Sequence, residues 1–322
     1  MKQDSRHAAP ICPKCGYDQS GEVATWGSQC QLEGRCPECG LGFAWCDVFD
    51  PASGDLGWYV EHGSSLWQIA KRTPGTLRRL ALPHIYWRAV GVQTQIRLGS
   101  LSLWLILCAL GLHLFVSIPY GIGIWHGMSV RYYGSLSGLY QMAGLKGMMA
   151  PFVNAVGSPF VYEFVDPNNG AVAFGSSLFD RSTVRHEISP MIPLIGMTAG
   201  WMVVLLVVPV TRQRAKLRSA HVFRAGLMSL LVVFGSLEFA KLAMGLDEWA
   251  RVGFTISSRW QGVFGGIVMP ILGIWLLVFW AMAIKVGWRI RRCGLLIFLG
   301  SIVSFLSGFA MLFIPTVYLN WL

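Results

Sequence analysis

The residues best suited to chemistry stand near the start of the chain. Cys12-Pro13-Lys14-Cys15-Gly16 is repeated, after a loop of twenty residues, as Cys36-Pro37-Glu38-Cys39-Gly40. Two Cys-x-x-Cys knuckles at this spacing can close four thiolates around one tetrahedral ion, the donor set of a closed structural zinc site. Cys12, Cys15, Cys36 and Cys39 are therefore the expected ligands of one Zn2+. Gly16 and Gly40 let the chain turn so that backbone N–H groups point at the sulfurs. Cys30 and Cys46 are left over. They read as packed free thiols, with ligand substitution or a second ion as the alternatives.

A second set lies in apolar sequence. Glu238 and Lys241 are three residues apart and share a helix face. An ionisable group inside a membrane is a functional-site hypothesis by default. The pair reads as a mutually satisfied couple, with an ion or proton path as the functional alternative. His113, in another apolar run, reads as a hydrogen bond to a neighbouring helix. Together these three form a candidate intramembrane polar site. Among motifs, the chain contains no His-Glu-x-x-His, no Gly-x-Ser-x-Gly and no phosphate-binding Gly-x-x-x-x-Gly-Lys. No catalytic residues and no organic cofactor are assigned.

The elements that must position these residues follow from composition. The chain has 322 residues, 54% hydrophobic and only 13% charged. Several apolar runs exceed the length of a core helix and suit a bilayer. The expected fold is an all-α polytopic membrane domain of about five transmembrane helices behind a small N-terminal β zinc ribbon. The spans are expected at Leu98–Pro119, Ile188–Val210, Val222–Leu246, Gly262–Val286 and Leu295–Leu319. Residues 1–10 form a tail, 11–47 the ribbon, 48–97 a linker with amphipathic interfacial helices, and 98–322 the membrane domain. Ser65 is expected to cap one of those helices, and Thr73-Pro74 to open another. Residues 121–187 are an outer or re-entrant region. Within it, Leu136–Val161 is read as stopping short of a full crossing, and Asp166–Gly170 as a turn. Pro270 predicts a kink against the carbonyl of Gly266.

The net charge of +10 does not point to nucleic acid. Residues 1–50 hold four basic and seven acidic groups, so the ribbon is acidic and lacks a phosphate-binding footprint. The basic excess lies beside the apolar runs, at Arg212, Arg214, Lys216, Arg218 and Arg224, and at Lys285, Arg289, Arg291 and Arg292. Lys and Arg concentrate on the cytosolic side. Five spans with a cytosolic N-terminus put both basic loops inside and the C-terminus outside, in a cytoplasmic (inner) membrane. Six early cysteines with no preceding apolar leader fit a reducing compartment.

The run Cys12-Pro-Lys-Cys15-Gly-Tyr-Asp with Arg35-Cys36-Pro-Glu-Cys39-Gly resembles the N-terminal zinc ribbons of many bacterial membrane proteins. The remainder is loosely similar to Yip1-type proteins, which share a soluble cytosolic N-terminus and about five membrane helices. The resemblance implies a non-enzymatic integral membrane protein, scaffold or trafficking-like, with the ribbon as an interaction module. Its expected partners are the lipid bilayer, a cytosolic protein and a second copy of the chain. A transporter or channel component using Glu238 and Lys241 is the alternative reading, and an intramembrane enzyme the third.

Overall fold

The computed structural model describes residues 10–29, 31–49, 55–133, 161–165, 172–176, 192–207, 216–250, 264–290 and 293–311, with scattered positions at 141–157 and at 313. The fold is mostly helical, with a small sheet at the N-terminal ribbon. Each knuckle lies at the tip of a hairpin. The first is closed by a bridge between Ile11 and Asp18. The second joins β1 (Glu33–Arg35) to β2 (Gly42–Ala44), with Gly34 opposite Phe43. Two short helices, α1 (Ser20–Ala24) and α2 (Trp45–Phe49), flank the sheet. The ribbon's small core is aromatic. The Trp45 ring centroid lies 4.6 Å from that of Trp26, 5.0 Å from Phe43 and 5.7 Å from Phe49. A side chain at Gly34 would meet Trp45 at 2.7 Å, so only glycine fits there. Tyr17 stands outside this core, 43% exposed.

Residues 55–97 are tightly folded. Helix α3 (Leu66–Leu80) starts at Ser65, whose side chain accepts from the Gln68 N–H as an N-cap should. The expected second start at Thr73-Pro74 does not occur, and the helix runs through. The Thr73 hydroxyl turns back to donate to the Ile69 carbonyl at 2.8 Å instead of capping forward. Ile69, Thr76 and Leu80 are buried. Leu66 and Trp67 are exposed. Thr76 ties α3 to the preceding segment, donating to the Trp58 carbonyl and accepting from the Val60 N–H. Helix α4 (Pro83–Ala89) buries Tyr86 and Trp87.

Four helices are long and apolar enough to cross a membrane: Leu98–Gly127, Ser219–Ala243, Gly266–Gly287 and Gly294–Met311. They lie in α5 (Leu98–Tyr133), in α7 (Ser219–Ala250), in α8 (Met269–Met282) with its flanking π turns, and in α9 (Gly294–Met311). A fifth apolar helix, α6 (Ile192–Leu206), has 15 described residues, and the ends of its expected span lie outside the described residues. Helix α5 does not stop at Pro119 but continues to Tyr133. A membrane helix tolerates the lost hydrogen bond because neighbouring groups can satisfy the freed carbonyl. Around Pro270 the chain is wound as a π turn over Phe264–Val268 before α8 begins. That wider winding is one way a helix accommodates proline. On α9, Leu295, Phe298, Ile302, Phe305 and Phe309 are exposed at three- and four-residue spacing. Such an outward apolar stripe suits lipid tails and not water.

Most of Leu136–Val161, the turn at Asp166–Gly170 and Cys30 lie outside the described residues. On either side of that turn, β3 (Val161–Val165) and β4 (Val172–Ser176) pair antiparallel, with Glu163 opposite Phe174.

Contacts sort the chain into two compact units. One comprises Met1–Leu105, Gly200–Met228 and Leu277–Val303, the other Ile106–Ala199, Ser229–Leu276 and Ser304–Leu322. The chain passes from one unit to the other five times, once within each of α5 to α9. In the first unit Trp201 stacks on Trp280 at 6.0 Å, and a Cβ at Gly300 would lie 2.1 Å from the Trp201 ring. In the second, Gly196 and Gly308 bring α6 and α9 together, and Ser304 donates to the Met197 carbonyl at 2.8 Å. Small residues are what allow helix backbones to approach this closely in a membrane.

Candidate metal centre and buried polar sites

The knuckles are built as the sequence requires. In the first, Gly16 has φ +81° and donates to the Cys12 carbonyl at 2.9 Å. In the second, Gly40 has φ +65° and donates to the Cys36 carbonyl at the same distance. These left-handed turns bring all four sulfurs within 4.8 Å of one another. Cys12 Sγ lies 3.7 Å from Cys39 Sγ, and Cys15 Sγ lies 3.6 Å from Cys36 Sγ. A metal held at about 2.3 Å by four tetrahedral thiolates would separate the sulfurs by roughly 3.8 Å. A disulfide would hold them at about 2.05 Å. The cluster is thus compatible with one metal ion. Cys46 is exposed and stands outside it.

Electrostatics agree. Burial pushes the Cys12 thiol well up and the Cys15 thiol up to about 11. At Cys36 burial is outweighed by the backbone N–H groups of Cys39 and Glu38, which hold that thiol down. A buried cluster of thiolates needs a cation among them.

The ribbon is docked, a feature the sequence did not suggest. The segment 216–221 reaches both knuckles. Arg218 N–H donates to the Lys14 carbonyl at 2.9 Å, and His221 Nε2 donates to the Pro13 carbonyl at 2.9 Å. Lys216 Nζ binds the Glu38 carbonyl, and it meets Glu38 Oε2 at 2.7 Å. The Glu38 carboxylate holds the Lys216 ammonium above its ordinary value. Lys216 adopts φ +45°, unusual for a side-chain-bearing residue. A cavity of about 850 Å3 opens beside this contact, lined by Tyr17, Glu38, Leu206, Lys216 and Arg218 among others.

A second feature missed from sequence is a buried ion pair. Glu61, in the supposed linker, and Arg224, counted as a loop charge, are 0% and 1% exposed, and Arg224 Nε lies 2.9 Å from Glu61 Oε2. The Arg97 N–H donates to Glu61 Oε1, and the Tyr59 hydroxyl donates to Oε2 at 2.7 Å. Arg224 also donates to the carbonyls of Thr94 and Gln95. Burial raises the phenol of Tyr59 far above its usual value, and burial raises Tyr86 beside it.

The three intramembrane residues come together. Glu238 Oε1 lies 2.9 Å from His113 Nδ1 and 3.7 Å from Lys241 Nζ. The carboxylate's nearer partner is therefore His113 on α5, where the sequence paired it with Lys241 on its own helix. Glu238 and Lys241 are 5% and 0% exposed. Glu238 Oε2 is buried without a hydrogen-bond partner among the described residues.

No protein-family model matches the chain, and no curated protein or solved structure is similar to it at a significant level.

Proposed function

We propose that the chain is a non-catalytic integral membrane protein whose N-terminal ribbon, closed by one structural Zn2+ on Cys12, Cys15, Cys36 and Cys39, is a head docked on its own membrane domain. The observation that carries this reading is the grip of residues 216–221 on both knuckles. A metal that fixes the knuckles also fixes the carbonyls these residues bind. The ribbon acts as a scaffold for a protein partner, and Leu32, 86% exposed, belongs to the surface left for it. The N-terminal head and the 216–221 segment share one face of a cytoplasmic membrane, the cytosolic one, and the C-terminus lies on the other. Four helices long and apolar enough to cross a membrane, with α6 as a shorter apolar helix, are the support for that count.

Metal analysis of the purified protein should give about one zinc per chain, since a four-thiolate site is closed. Cys36→Ser should lose it. Stripping the metal with a chelator should speed hydrogen exchange at 216–221. Exchange there that is unchanged after metal loss overturns the docked-head reading.

The buried Glu238 favours a second reading, a transporter or channel component. Ion flux in proteoliposomes separates the two: a scaffold carries none.

A further inference from the structure

One set of polar groups around the buried Glu238 does not balance its hydrogen bonds without an added proton. His113, on α5, has both ring nitrogens engaged. Nδ1 lies 2.9 Å from Glu238 Oε1, and Nε2 lies 2.9 Å from the Val156 carbonyl. A carbonyl and an ionised carboxylate only accept, while a neutral imidazole donates from one nitrogen and accepts at the other. With Glu238 ionised and His113 neutral, a nitrogen lone pair would face an oxygen lone pair at hydrogen-bond distance. Ser117 does not relieve this. Its hydroxyl donates to the Ala155 carbonyl at 2.8 Å and stands 3.5 Å from Nε2.

Two arrangements satisfy every atom. In one, an imidazolium donates to both carboxylate and carbonyl. In the other, a neutral imidazole donates from Nε2 and accepts at Nδ1 from a protonated Glu238. Both put one titratable proton on the pair, where a neutral imidazole beside an ionised carboxylate has none.

We propose that His113 and Glu238 form a binding site for one proton within the membrane, held between α5, α7 and the helical residues 155–157. The proton comes from water and is bound without any other bond being made or broken. Lys241 is the charged group that the described residues bring to the pair, with Nζ 3.7 Å from Glu238 Oε1. Glu238 Oε2 is a second acceptor, buried and without a hydrogen-bond partner among the described residues. Loss of the proton removes either the donor that His113 offers Val156 or the bond between His113 and Glu238. Occupancy is thereby coupled to how these three segments are joined.

This deepens the transport reading by naming the ion, yet the two fail separately. A bound proton without flux leaves the site standing and removes only transport.

The test uses the full chain in lipid nanodiscs at pH 7. Imidazole 15N shifts report how many His113 nitrogens carry protons, assigned by the signal lost in His113→Gln. Infrared difference spectra against Glu238→Gln report whether that carboxyl is protonated. The expected result is an imidazolium at His113 or a protonated carboxyl at Glu238. A neutral His113 beside an ionised Glu238 overturns the proposal. Should His113→Gln fail to fold, Glu238→Gln alone decides. Its amide can donate to Nδ1, which removes the need for the extra proton. The pair must then lose one proton, seen as an imidazolium turned neutral or as a missing carboxyl band. An imidazolium that persists in Glu238→Gln overturns the pairing.

Discussion

Glu61 and Arg224 meet with both side chains out of solvent. A buried pair adds little net stability over an apolar replacement, but breaking one side leaves an unpaired buried charge, at about 3–5 kcal/mol. Glu61→Gln and Arg224→Met should each cost on that order in a thermal or denaturant unfolding series in detergent, and the double variant should recover part of the loss. Equal loss in the double and the worse single would mean that Arg224 acts through Thr94 and Gln95 alone. Neither partner was legible in the sequence. Glu61 sits in a stretch punctuated by Gly and Pro, and Arg224 falls in a basic cluster that reads as an orientation signal. The four cysteines were legible because each knuckle's geometry is local. His113 and Glu238 were each visible as odd residues in apolar runs. Their contact was not, because they are 125 residues apart and no periodicity links two helices across that distance.

The element that links head to membrane is the 55–80 segment, and its charges make it acid-sensitive. A bidentate bond from Arg72 holds the Asp55 carboxyl below its ordinary value. Within the window from about pH 3.9 down to that depressed value, the unfolded chain binds more protons than the folded one. The contribution of Asp55 is therefore complete above the window and is lost as pH falls through it. Burial holds His62 below its usual value, so from about pH 6.5 downward the folded state again binds fewer protons. Both act in the same direction. Hydrogen exchange over Val60–Leu80 should rise as pH is lowered from 7 through the His62 range and on below about 3.9, after correction for intrinsic exchange rates. In Asp55→Asn the lower part of that rise should shrink. The helices here were readable from Ser65 and from their apolar spacing. That Pro74 leaves α3 unbroken was not, since it depends on where the Thr73 hydroxyl turns.

For the whole molecule, apolar length made the membrane helices legible, and where each one ends was less so. Helix α5 continues past Pro119, and a π turn over Phe264–Val268 precedes Pro270. Topology is testable at the chain ends. An epitope at Met1 and one at Leu322 should be reached by impermeant antibody or protease from opposite faces of sealed vesicles. Both accessible from one face would require an even number of crossings and end the five-span reading. A thiol introduced at Arg218, exposed beside the ribbon, should label from the Met1 face.

The docked ribbon also has a history imposed by the order of translation. Glu38 and the Lys216 that grips it are 178 positions apart. At about 5–20 residues per second, the knuckles leave the ribosome roughly 10–35 s before their dock exists. During that delay the first apolar segments must already be entering the bilayer. The thiols therefore wait in the open, and an ion closing them, as proposed above, would also guard them against oxidation until the rest of the chain arrives.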